Sequence, residues 1–221
     1  MQRKLVKQGR DALTMTLPRK WWEKHHLRPG DSVEVQESEG KLIVYGEGEV
    51  PLTSVSIKIA EDATFTLLKT IIANAYKQGY DIIRIKFTKQ RQIKQIQTSV
   101  SELIGHEILD INDKEVVIRS VAQDLHREYN NLVRKCFYLV KENMKKVLED
   151  MAKNDFKRED EIKEYRLLVL KYSDYCKRII NKNMNTQDTH SSEYLIIWIL
   201  EKISKIVHYA YSYMQKVKVS N

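Results

Sequence analysis

The sequence predicts an α+β protein in three parts: a short β unit, a small α+β module and a run of three long helices. Three observations carry that reading. Prolines stop at Pro51 and glycines at Gly105, so the last 116 residues hold neither helix breaker. Apolar residues alternate in steps of two in several stretches before residue 120, and recur in steps of three and four after it. Charge is also polarised at the start: residues 1–30 carry eight Lys or Arg against Asp11 and Glu23, a net of +6. Residues 31–50 carry Lys41 against six acids, a net of −5.

The elements follow in order. In residues 1–50, Lys4 to Lys7 and Leu13 to Leu17 have strand content. Pro18 can open a helix, where its missing N–H is harmless, and the helix is expected over about Arg19 to His26. Leu27-Arg28-Pro29-Gly30-Asp31 is a turn, with proline fixing one φ and glycine supplying the permissive one. Ser32 to Gln36 and Lys41 to Tyr45 flank Glu37-Ser38-Glu39-Gly40 as a β-hairpin. In residues 51–121, Val55, Ile57 and Ile59 alternate. Leu67, Leu68, Ile71, Ile72, Ala75 and Tyr76 take helical steps, and Ile82 to Phe87 is a strand, giving a β-α-β unit. A second helix over Ile93 to Ile104 leads to strands Glu107 to Ile111 and Glu115 to Arg119.

Residues 122–221 carry three amphipathic stripes. The first is Leu125, Tyr129, Leu132, Cys136, Val140, Met144, Val147 and Met151; the second is Ile162, Tyr165, Val169, Tyr172, Cys176 and Ile179. The third is Leu195, Ile199, Ile206, Ala210, Tyr213 and Val217. Their joints are expected near Lys153 to Lys157 and Asn181 to Thr189.

No apolar run approaches the roughly 20 residues that span a bilayer, and the longest, Tyr194 to Leu200, ends at Glu201 and Lys202. The N-terminus lacks the apolar core of a signal peptide, and Cys136 and Cys176 sit on apolar stripes as buried thiols, so a cytoplasmic protein without membrane insertion is expected. There is no phosphate-cradling glycine loop and no nucleophile elbow, which favours a non-enzyme.

Gly9-Arg10, Thr16-Leu17-Pro18-Arg19-Lys20, Leu27-Arg28-Pro29-Gly30-Asp31 and the hairpin ending Lys41-Leu42-Ile43-Val44 form an ordered series over about residues 3–46. It resembles an AbrB-type (SpoVT/AbrB) swapped-hairpin domain. The resemblance implies a homodimer with interlocked strands that binds double-stranded DNA through basic residues on one face. The helix has Trp22 and Glu23 where many members carry paired arginines, and the transferable positions are Arg10 after Gly9 and Arg19 and Lys20 after Pro18; Arg3, Lys4 and Lys7 join them from charge alone. Of Trp21 and Trp22, at least one ring is expected in the core rather than against a base.

The order of segments, the phrase Ala75-Tyr76-Lys77-Gln78-Gly79-Tyr80-Asp81-Ile82-Ile83-Arg84 and the glycine-free helices are similar to PhoU-like phosphate-uptake regulators. That resemblance implies a PhoU-like three-helix bundle over 122–221, a partner such as a transporter or sensor kinase, and a metal ion held by acidic residues four apart on a helix. The candidate pairs are Asp155 with Glu159 and Asp160 with Glu164, set among Lys157, Arg158 and Lys163, which favours a salt-bridged surface. The combined expectation is a transcription regulator, with a signalling adaptor that binds no DNA as the alternative.

Overall fold

A computed structural model describes residues 2–38, 41–46, 52–121, 128–182 and 190–219, and Leu125 of the first stripe lies outside them. The described chain is mixed α+β and falls into two compact units, Met1–Leu52 and Thr53–Asn221.

In the first unit, β1 (Val6–Gln8) and β2 (Ala12–Thr14) pair antiparallel with Lys7 opposite Leu13, and the Thr14 hydroxyl donates to the Val6 carbonyl at 3.2 Å. Both strands are displaced from the expected spans, because the Gly9-Arg10-Asp11 loop sets the register and pairing ends where the loop geometry allows. The helix α1 (Arg19–Lys24) starts on Pro18, whose carbonyl accepts from the Trp21 and Trp22 amides at 2.9 and 3.2 Å. It stops two residues earlier than expected, where His26 turns left-handed at φ 54°. In the following turn Asp31 N–H donates to the Arg28 carbonyl at 3.0 Å and the Asp31 carboxylate accepts from Arg28 N–H at 2.6 Å. Gly30, at φ 100°, occupies the position of a Pro-Gly turn that a side chain would strain. Then β3 (Val33–Ser38) and β4 (Lys41–Gly46) pair antiparallel with Val35 opposite Val44, the expected hairpin.

The second unit opens with a four-stranded sheet in the order β5-β6-β8-β7. β5 (Ser54–Lys58) and β6 (Ile82–Lys86) are parallel, joined through α2 (Phe65–Lys77). β7 (His106–Ile111) and β8 (Glu115–Ser120) complete the sheet antiparallel, with Leu109 as the extra residue of a bulge. α2 is capped by the Thr64 hydroxyl, which accepts from Leu67 N–H at 3.2 Å. α3 (Arg91–Ser101) lies beside α2, and together they bury Leu68, Ile72, Tyr76, Ile96 and Val100 against Ile83, Ile85, Val116 and Ile118.

Three helices follow: α4 (Tyr129–Lys153), α5 (Glu159–Lys182) and α6 (His190–Val219). The sequence reading separates a module at 51–121 from a helical domain at 122–221, yet both lie in one compact unit. The reason is α5, whose Tyr175 and Ile179 enter the core of the α+β layer, while Arg178 pairs with Asp81 at 2.8 Å with both side chains buried. At the same junction Gly79 has φ 94°, and a Cβ there would meet Lys182 Cγ at 2.8 Å, so close packing and backbone both require glycine.

Two stripes are corrected by the packing. On α4 the buried line is Cys136, Leu139, Val140, Asn143, Val147 and Asp150, leaving Met144 and Met151 exposed. On α6 the buried residues are Ile197, Leu200, Ser204, His208 and Tyr211, and every residue of the expected stripe faces outward. The second stripe holds, with Ile162, Val169, Cys176 and Ile179 buried.

A polar clasp closes the far end of the bundle. The Tyr211 hydroxyl donates to Asp150 Oδ2 at 2.7 Å and accepts from Arg158 N–H at 2.9 Å, while the Arg158 guanidinium also holds the Asp150 carboxylate. Burial opposes the Asp150 charge, but the Arg158 and Tyr211 hydrogen bonds outweigh it and hold the carboxyl below its usual range. Tyr211→Phe strips one partner from each and is expected to cost about 1–3 kcal/mol in urea unfolding. An unchanged midpoint would show that the clasp carries no stability.

Candidate nucleic-acid interface

The six cations expected to meet DNA are all exposed, and all lie in the first unit. Arg3 and Lys4 precede β1, Lys7 is within it, and Arg10 tips the loop between β1 and β2. Arg19 and Lys20 open α1. Arg19 Nε contacts the Glu23 carboxylate at 2.7 Å across one helical turn. Such an exposed pair is worth about 0–1 kcal/mol, so a phosphate can displace it. Arg28 is a further exposed cation, fixed through its backbone by Asp31. Its signal was the count of eight basic residues, not its place in the turn motif.

Neither tryptophan is fully buried: Trp21 is half-buried with its ring 4.8 Å from that of His25, and Trp22 is exposed. The expected core position of one ring is therefore absent from the single chain. The unit has little core to offer. Among its described side chains Leu27 is the one buried hydrophobic, whereas Leu5, Val6, Leu13, Met15, Val35 and Leu42 are exposed, Leu13 at 64% and Leu42 at 68%. Two two-stranded sheets with their apolar residues in water do not hold themselves together, since an isolated hairpin is marginal.

Residues 6–51 match the family described as antidote-toxin recognition MazE, bacterial antitoxin. That family is AbrB-like, of swapped-hairpin type, and it supports the resemblance of this N-terminal head; the match stops there. No curated protein and no solved structure matches the chain. The PhoU-like likeness of the helices gains no support from these comparisons.

One of the two acidic pairs, Asp155 with Glu159, is placed differently from the sequence expectation. α5 begins at Glu159, so Asp155 lies in the connection before it and cannot share a helical face with Glu159. Asp155 pairs with Lys157 at 3.0 Å, and Glu159 accepts from the Ser212 hydroxyl at 2.6 Å. Asp160 and Glu164 share the helix and are exposed. Glu159, Asp160 and Glu161 sit in the first turn, where negative charge complements the helix dipole. Among the described residues no group of three His, Cys, Asp or Glu side chains is gathered to hold a metal ion. Among them, too, no helix is long and apolar enough to cross a membrane.

Proposed function

We propose that the protein is a DNA-binding transcription regulator acting in the cytoplasm, whose head dimerises by interlocking the strands of two copies and binds duplex phosphates with the basic residues of both. The observation that carries this reading is the head itself. Its apolar strand residues lie uncovered in one chain, its cations are exposed on the β1–β2 loop and the start of α1, and its sequence matches an AbrB-like family. A two-fold dimer presents Arg10, Arg19 and Lys20 twice, on a surface with the +6 charge of residues 1–30.

Six cations meeting about six phosphates give a slope of log affinity against log salt near −5, so raising salt from 50 to 200 mM should weaken binding by about a thousandfold. Gel shifts and anisotropy titrations with genomic fragments measure it. Arg10→Ala removes two charges per dimer and should flatten the slope by about 2, weakening specific and random duplexes alike if Arg10 touches phosphate only. Loss confined to one site would show that Arg10 reads a base edge. Wild-type protein that binds no duplex at low salt would overturn the reading and favour an adaptor working through the helices. On the order of segments, the phrase at residues 75–84 and the glycine-free helices, we extend the reading to control of phosphate uptake. Transporter transcripts that stay unchanged on deletion of the gene under phosphate limitation would overturn that extension.

A further inference from the structure

The helical body carries a second apolar surface that its own core does not use. Phe137, Met144 and Leu148 of α4 and Ile196, Ile199 and Ile206 of α6 are exposed, Leu148 at 62% and Ile206 at 65%. Steps of three, four and seven residues hold each trio toward one side of its helix. Between the helices runs a groove of about 920 Å³ that reaches Val140, Leu200 and Ile203, with Lys141, Lys145 and Glu149 along its α4 edge. Elsewhere on α6, Lys202 Nζ lies 5.2 Å from the Trp198 ring and Lys205 Nζ 5.5 Å from that of Tyr209. α6 is therefore apolar on two sides, one meeting α4 and α5 and one bordering the groove, while Lys202 and Lys205 mark a side that keeps its charge.

We propose that this α4/α6 face pairs with the same face of a second copy, so that the helices of two chains close a single bundle. Area supports the choice of occupant. Six large apolar residues, each about half exposed, offer roughly 500–600 Å² per chain, the top of what a monomer leaves in water. Doubled by a second copy, they reach about 1,200 Å² before the rim is counted, the threshold of a stable specific interface. Shape supports it as well, because two apolar ridges with a groove between them are self-complementary when two such pairs stack about a two-fold axis. So does charge. Lys141 and Glu149 lie two turns apart on one side of α4, and an antiparallel copy sets each lysine beside the other copy's carboxylate. These arguments stand without the head. If the head dimerises as proposed, it adds a tether: only seven residues separate Gly46 of β4 from Ser54 of β5, which keeps the two bodies at high effective concentration.

Sedimentation equilibrium of the full chain at micromolar concentration tests the proposal with three variants. Leu13→Asp charges the head, Leu148→Asp with Ile206→Asp charges the body face, and a third variant combines them; all three positions are exposed, and circular dichroism confirms that each variant folds. The expected result is that either change alone leaves a dimer and only the combination gives monomers. If the body change alone gives monomers while Leu13→Asp stays dimeric, the body contact stands and the head reading fails. A wild-type assembly larger than a dimer, reduced to a dimer by the body change, also supports the contact. Monomers from Leu13→Asp alone overturn it, as does a wild-type monomer or a combined variant that still dimerises.

Discussion

Arg178→Met is expected to destabilise the second unit by about 3 kcal/mol, the low end of the cost of stripping one partner from a buried ion pair. Arg178 Nη1 donates to the carbonyls of Tyr76 and Tyr80 at 3.1 and 2.7 Å, and Nη2 to Asp81 Oδ1 at 2.8 Å. Methionine keeps much of the volume and loses all three contacts. The low end applies because Asp81 keeps Lys182 Nζ at 2.6 Å and the amide and hydroxyl of Thr53 at 3.1 Å. Urea unfolding of the full chain measures the loss. A change below about 0.5 kcal/mol, the usual surface range, would mean that this node does not weld α5 to the α+β layer. Asp81→Asn combined with Arg178→Met should cost less than the sum of the single changes, because the second removes a charge the first has orphaned.

The same node has a pH signature. Burial alone would raise the Asp81 pKa, but the Lys182 and Thr53 hydrogen bonds and the charges of Lys182 and Arg178 lower it overall. A carboxyl with a depressed folded value contributes stability that is present above its unfolded value near 4 and lost as pH falls through the folded one. His106, beside Tyr76 and bonded to the Tyr80 carbonyl, is pushed down to about 4, chiefly by burial and then by the Arg178 charge. It acts in the same direction over pH 6.5 to 4, where the unfolded chain takes up the proton first. Asp174, raised to about 6 by burial, opposes it, since there the folded chain is the better proton acceptor.

This junction was the part least legible in the sequence. Asp81 and Arg178 stand 97 residues apart, and nothing near either one marks it as half of a buried pair. Their surroundings were legible: Gly79 ends α2, the β-α-β alternation places Asp81 just before β6, and the second stripe identifies Val169, Cys176 and Ile179 as core. Local chemistry was also legible in the head, where Pro29-Gly30-Asp31 forms the turn its residues demand and Val35 pairs with Val44 in the hairpin, although β3 runs on through Glu37 and Ser38 of the expected turn. What composition cannot supply is the partner surface. Trp22 and Leu13 have strongly apolar side chains, yet they stay exposed in one chain. In the acidic run at 155–164, the joint expected near Lys153 to Lys157 already separates Asp155 from Glu159, and the start of α5 at Glu159 agrees with it.

Val169→Asp is expected to cost at least about 3 kcal/mol, whereas Tyr213→Asp should stay within about 0.5 kcal/mol. Both residues come from apolar stripes of the sequence, that of Tyr213 the less regular, and they separate on packing. Val169 is fully buried among Cys136, Leu139, Val140 and Leu200, so an aspartate there has no cation to meet and must either stay protonated or open the bundle. Tyr213 is 70% exposed and shares its helix with the buried Tyr211, two positions away and so on a different side. Periodicity identifies a helix with an apolar side but does not choose between two such sides, and α6 has two. The choice is made by Leu200 meeting α4, and by Tyr211 meeting Asp150 of α4 and Arg158 just before α5. Thermal unfolding of the two variants measures the separation directly. Equal losses would mean that Tyr213 is also covered in the assembled protein, and an unchanged Val169→Asp would place α5 elsewhere than between α4 and α6.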